Sequence, residues 1–194
     1  MQGRPRGFDP EEALSRAMHV FWRKGFDGTS LSDLESATGL GRQSLYGTFG
    51  DKRRLFVQAV EHYFAKVLQP QFIDVLDAKG SPRGNLENIF LGWENYACSS
   101  EFQGCLVGNS VIDLRATDPQ LAELLRRKLR LMEDAFARCL SRAVKAGEVR
   151  RDLNPRETAR TLLAIGQGLA VLARVQQERP YVRAIIDSAR RQLD

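Results

Sequence analysis

The sequence predicts an all-α fold: an N-terminal three-helix helix-turn-helix head, joined by a long helix to a C-terminal helical bundle. Three observations carry that expectation. No segment of the C-terminal half alternates apolar and polar residues as a half-buried strand does, and apolar residues instead recur at three- and four-residue steps. Helix starts are punctuated by Asp9-Pro10, Ser81-Pro82, Asp118-Pro119 and Asn154-Pro155, each an N-cap followed by proline where its missing N–H costs nothing.

The first helix follows Asp9-Pro10, carries Ala13, Leu14, Ala17, Met18, Val20 and Phe21 as one stripe, and closes at Gly25. A second begins near Leu31, where Ser30 and Asp33 have the spacing of a capping box. Leu34 and Ala37 continue it, and Gly39 supplies the positive φ of a tight stop with Leu40 tucked beneath the turn. The third, Arg42 to Phe49, has only Leu45 and Phe49 to bury, which leaves Arg42, Gln43, Ser44, Tyr46 and Thr48 pointing outward. Two turns are not stable alone in water, so its neighbours must hold it.

Asp51 caps the fourth helix, whose stripe runs through Phe56, Ala59, Val60, Tyr63, Phe64 and Val67. Pro70 is expected to interrupt it, and Lys79-Gly80-Ser81-Pro82 reads as a loop, so a head domain over 1–66 and a second domain over 67–194 are expected. In the second domain helices are expected from about Arg83 to Ser99, Gly104 to Arg115, Asp118 to Ala146, Asn154 to Gln177 and Pro180 to Leu193. The Asp118 helix places Leu121, Leu124, Leu125, Leu129, Met132, Phe136, Leu140 and Val144 on one broad stripe, suited to a bundle.

Gly25-Phe26, Thr29-Ser30, Gly39-Leu40, Ser44-Leu45-Tyr46, Phe49-Gly50, Lys52 and Leu55-Phe56 stand at the spacing of a known DNA-binding head. Over residues 8 to 66, about a third of the chain, the sequence resembles the TetR family of transcriptional regulators. The resemblance implies a homodimer that binds near-palindromic double-stranded operator DNA as a repressor and is released by a small-molecule inducer bound in the C-terminal bundle. It also implies Thr29 on phosphate, Arg42, Gln43 and Ser44 in the groove, Tyr46 and Thr48 holding register on the backbone, and Lys52 on phosphate. Physical chemistry agrees in part: Arg can bond bidentately to guanine and Gln to adenine, and cations at a helix start oppose the macrodipole, so an external anion gives Lys52, Arg53 and Arg54 a reason. Two positions depart from the family pattern. Gly47 removes one customary contact, and Glu35 adds negative charge where the second helix crosses the backbone.

A net charge of +5 suits a polyanionic partner, yet the head holds nearly as many acids as bases, so placement matters more than the total. Arg4 and Arg6 on a polar N-terminal arm can reach a minor groove. There is no apolar run long enough to span a membrane and no leader-like segment, which points to a cytoplasmic protein. Neither His19 nor His62 is tied to a nucleophile, and no phosphate loop or metal-ligand spacing occurs, so no enzyme, cofactor or metal is expected.

Beyond the head, Trp93, Tyr96, Cys105, Met132 and Phe136, with Asn109 and Gln167 as polar grips, are the candidate effector-binding residues. The family dimerises through its last two helices, which makes Gly166, Leu169, Leu172 and Ala173, with Val182 and Ile186, the candidate seam. Cys98, Cys105 and Cys139 fit neither a disulfide framework nor a zinc pattern. Cys105 follows Gly104 at an expected helix start, where a thiol is activated if exposed, so a thiol sensor acting through Cys105 is the alternative input. A helical ligand-binding protein that has lost DNA binding is the third reading.

Overall fold

The computed structural model describes residues 8–113 and 118–194. Its elements are α1 (Pro10–Lys24), α2 (Leu31–Thr38), α3 (Arg42–Phe49), α4 (Lys52–Tyr63), a π-helical segment (Phe64–Ile73), α5 (Asp74–Asp77), α6 (Pro82–Ala97), α7 (Leu106–Ile112), α8 (Pro119–Ala146), α9 (Pro155–Leu172) and α10 (Arg179–Arg190). No strand occurs among the described residues. The chain divides into two compact units, 1–65 and 66–194. Arg4, Arg6 and Arg115 lie outside the described residues.

In the first unit α1 packs against α4 and α2, burying Ala13, Ala17, Val20, Phe21, Leu34, Leu45, Leu55, Phe56, Ala59 and Val60. Phe21 meets Phe56 edge-on at 5.0 Å between centroids, and Trp22 meets Tyr63 at 4.7 Å. The second unit is built on α8, which lies against α9, α6, α5 and α7. Phe90, Phe136, Leu86, Leu125, Leu140 and Leu162 form its fully buried centre. Ion pairs tie the elements at the rim: Arg138 of α8 to Asp77, Arg156 and Arg160 of α9 to Glu133, and Arg190 of α10 to Glu87.

Several boundaries differ from the sequence expectation, among them the end of the last helix, which stops at Arg190 rather than Leu193. Pro70 does not break the chain, because the winding widens to π-helical from Phe64 to Ile73 and α5 follows directly. Proline lacks the N–H and crowds the carbonyl four residues back, and a wider turn relieves both demands. The turn begins only at Ala78. The α7 helix starts at Leu106 and reaches Ile112. The α9 helix ends at Leu172 rather than Gln177, where three-residue bonds from Arg174 to Val171 and from Val175 to Leu172 tighten the last turn and end the helix.

Candidate nucleic-acid interface

The turn between α2 and α3 is three residues long, Gly39-Leu40-Gly41. Gly39 is left-handed at φ 71° and ψ 11°, and its N–H donates to the Glu35 carbonyl at 2.9 Å. At the other end of α2 the capping box is complete: Ser30 Oγ accepts from the Asp33 N–H, and Asp33 Oδ2 accepts from the Ser30 N–H at 2.9 Å. Asp33 also receives Lys24 Nζ at 2.6 Å. Lys24, then Ser30, hold the Asp33 carboxyl well below the usual carboxylate range.

The α3 helix is anchored at both ends by side chains of other helices. Its N-cap is Gly41, which has no side chain to offer. The Arg42 N–H donates instead to Glu35 Oε1 of α2 at 2.6 Å. At the far end, Gln58 Nε2 of α4 donates to the Phe49 carbonyl at 3.0 Å. Leu45 and Phe49 are buried, whereas Arg42, Gln43, Ser44 and Gly47 are exposed and Tyr46 and Thr48 half-buried. The Arg42 guanidinium lies 5.9 Å from the Tyr46 ring centroid. A side chain at Gly47 would meet nothing within 4 Å.

Two expected contacts take a different form. Thr29 is 1% exposed and its hydroxyl donates to the Gly25 carbonyl at 2.6 Å, so this side chain closes the α1–α2 connection and is not presented to a phosphate. Lys52 Nζ stands 4.6 Å from the Phe26 ring centroid, which gives a cation at a helix start an intramolecular partner as well. Glu35, Gln58 and Phe26 were missed as parts of the site. A signal for Glu35 was present in Gly41: a short helix whose N-cap is glycine has a first-turn donor to satisfy from elsewhere.

In the second unit Met132 and Phe136 are buried, and Trp93 lies 6.0 Å from Phe136 and 5.9 Å from Phe90 between centroids. Gln167 Nε2 lies 3.9 Å from Cys105 Sγ. Asn109 is 7% exposed, and its Nδ2 donates to the Gln103 carbonyl at 3.1 Å. The Gln103 N–H donates to the Tyr96 hydroxyl at 3.1 Å, and Tyr96 packs on Phe102 at 4.9 Å. Asn109 Oδ1 and Gln167 Oε1 are buried without a hydrogen-bond partner. Thus Trp93 joins Phe136, and Cys105 joins Gln167. Cys105 is 8% exposed at the N-cap of the seven-residue α7, packed as a small apolar residue rather than displayed as a reactive thiol. The Cys139 thiol donates to the Pro82 carbonyl, and burial pushes its pKa up.

Most of the residues expected at the seam lie inside one chain. Leu169, Ala173, Val182 and Ile186 are buried within one chain, where α9 and α10 pack together, and a Cβ on Gly166 would fall 2.5 Å from Trp93 Cη2. Gly166 is therefore the close approach of an indole of the same chain. Leu172 alone among the six is exposed, together with Val171 and with Val175 at 82%. Two apolar faces on one helix cannot be ranked by periodicity, and most of the residues expected at the seam fall on the inner one.

No cluster of metal-ligating residues occurs among the described residues, and none of their helices is long and apolar enough to cross a membrane.

Residues 13–59 match the tetR family of bacterial regulatory proteins, and residues 81–189 match the tetracyclin repressor-like C-terminal domain. The chain is 35% identical over 194 residues to YezE, an uncharacterized HTH-type transcriptional regulator of Bacillus subtilis (strain 168), covering 99% of this chain and 100% of that one. It is 28% identical to the HTH-type transcriptional repressor ComR of Escherichia coli (strain K12), covering 89% of this chain and 83% of ComR. A solved cysteine mutant of the regulator CifR, complexed with 26 bp double-strand operator DNA, superposes with a TM-score of 0.87 at 30% identity, covering 99% of this chain and 100% of that chain.

Proposed function

The chain belongs to the TetR family of transcriptional regulators, and from that premise we propose that it is a cytoplasmic, homodimeric repressor that binds near-palindromic operator DNA and is released by a small-molecule inducer. The observation that carries this reading is the exposed Arg42-Gln43-Ser44 run on a helix anchored at both ends. The Arg42 guanidinium and the Gln43 amide have the donors and acceptors to read guanine and adenine in a major groove, and Tyr46, Thr48 and Lys52 would hold register on phosphate. CifR in complex with operator DNA and the repressor ComR support the same output. No catalytic role is part of this proposal, since regulation by binding needs none.

The dimer seam we propose is the outer face of α9. Ala164, Gly168, Val171 and Leu172 recur at helical spacing, Val175 follows in the turn that closes the helix, and all are exposed but Gly168, which is half-buried with open space where a Cβ would stand. A helix glycine costs about 1 kcal/mol against alanine, a cost that close approach of a partner helix offsets. A two-fold dimer would set two copies of α3 about 34 Å apart, one turn of DNA.

For the input we propose the group around Trp93, Phe136 and Met132 as an apolar wall, with Asn109 and Gln167 as polar contacts beside Cys105. The unpartnered Asn109 Oδ1 and Gln167 Oε1 would accept hydrogen bonds from the inducer. Inducer binding would tilt the helical run from Asp51 to about Gln69 and change the separation of the two heads. Fluorescence anisotropy with the DNA upstream of the chain's own gene tests the output: saturable binding that weakens steeply with salt is expected. Absence of binding at low salt would overturn the reading and leave a helical ligand-binding protein.

A further inference from the structure

The carboxylate of Glu35 lies at the start of the helix proposed to read DNA, and charge alone would make it a poor resident there, since DNA is a polyanion. Its geometry gives another account. Gly41 leaves α3 without a side-chain cap, and the first helical residue, Arg42, is the residue proposed to read a base. The Arg42 N–H donates to Glu35 Oε1 at 2.6 Å, across seven residues of sequence and a three-residue turn. Glu35 belongs to α2, whose far end is fixed by the Ser30–Asp33 box and the Lys24 ion pair. Its own carbonyl accepts from Gly39, so one residue accepts from both sides of the turn. Thr38 adds to this, its Oγ1 accepting from the Leu40 N–H at 3.3 Å.

We propose that Glu35 is a positioning residue for operator reading: it caps α3 from α2 and thereby fixes the angle at which Arg42 and Gln43 leave the helix. The carboxylate complements the partial positive charge of the helix start, where a DNA phosphate would otherwise bind without regard to sequence. With Glu35 in place the α3 start is engaged, and docking rests on the side chains that discriminate bases. Its effect therefore falls on specificity, the ratio of operator to non-specific affinity, more than on binding as such. The inference rests on α3 being the reading helix.

The test measures operator and random-sequence DNA affinities of the full chain for the wild type, Glu35→Gln, Glu35→Ala and the double variant Glu35→Ala with Gly41→Ser. Glutamine keeps an acceptor at the same reach. Gly41 has extended backbone (φ −69°, ψ 160°) and open space for a Cβ, so serine there is expected to supply a conventional N-cap. Glu35→Ala is expected to lower the specificity ratio about tenfold without weakening random-sequence binding, consistent with the worth of one cap. Glu35→Gln and the double variant are expected to keep the ratio near that of the wild type. The proposal is overturned if Glu35→Ala leaves the ratio unchanged, if Glu35→Gln loses as much as Glu35→Ala, or if the double variant folds without recovering it. Should Glu35→Ala fail to fold, rescue of folding and of the wild-type ratio in the double variant supports the proposal, and a tenfold loss of the ratio in either the glutamine or the folded double variant overturns it. Failure of the wild type to bind any DNA would instead remove the reading of the head itself.

Discussion

Arg42 and Gln43 stand on the exposed start of α3, so their contributions are separable from the packing that holds the helix. Arg42→Ala and Gln43→Ala are each expected to cost about 1 to 3 kcal/mol of operator affinity and to relax discrimination at one base pair per half-site. Competition binding against operators altered one pair at a time checks this. Gly47 is the complementary case. It lies in a helix interior with nothing near its missing side chain and no positive φ, so Gly47→Ala should stabilise the head by about 1 kcal/mol. Urea unfolding followed by circular dichroism reads the gain, and a loss of stability would show that the glycine answers a constraint of packing.

Among elements, the caps were the most legible: Asp9, Ser30, Asp51, Ser81, Asp118 and Asn154 each accept from the first turn of their helices. A cap is a short-range interaction between neighbours in sequence, which is why residue order alone reveals it. Long-range choices were not legible in the same way. Nothing local says that the Thr29 hydroxyl turns inward or that Trp93 fills the space beside Gly166, and Gly41 signals a donor to satisfy at the start of α3 without naming Glu35 as its acceptor. Nor does residue spacing alone show that winding will widen around Pro70, although Phe64, Leu68, Phe72 and Leu76 are buried at unbroken steps of four. A regular α-helix of 3.6 residues per turn would carry such a series progressively off one face, and wider winding reduces that drift.

The contact of α6 with α10 was equally invisible, because it includes a buried carboxylate of one helix paired with two arginines of the other. Glu94 is 4% exposed and accepts from Arg179 at 2.8 Å and Arg183 at 2.9 Å. Arg183 first, then Arg179, hold its carboxyl below the ordinary value of 4.5, and burial works against them. A depressed folded-state pKa gives stability that is complete above the unfolded value and lost as pH falls through the folded one. Acid should therefore weaken the second unit below about pH 4.5. Glu94→Gln is expected to cost about 1 to 2 kcal/mol at neutral pH and to flatten the acid dependence. Denaturant titrations at several pH values would show an undiminished acid slope if the pairing had no such role.

At the scale of the whole molecule, two heads are proposed to bind together, and the second contact is then intramolecular. Breaking the dimer should cost far more than any single base contact. Leu172→Arg places a charge on the proposed outer face of α9 while leaving Leu169, Ala173, Val182 and Ile186 packed inside. It is expected to yield a folded monomer by sedimentation and to weaken operator binding by about 10² to 10⁴, the usual range for lost bivalency. A variant that stays dimeric would move the seam to another surface. The net charge of +5 contributes to encounter with DNA but is spread along the chain, so affinity without this geometry would lack register.

The two-ended anchoring of α3 has an evolutionary consequence. Glu35 and Gln58 supply the end bonds, Leu45 and Phe49 supply the burial, and Arg42, Gln43, Ser44 and Gly47 are exposed. If α3 reads the operator as proposed, the four outward positions form a replaceable alphabet on a fixed mount. Duplicated copies of such a gene can acquire new operators by exchanging letters there, with no compensating change in the rest of the chain.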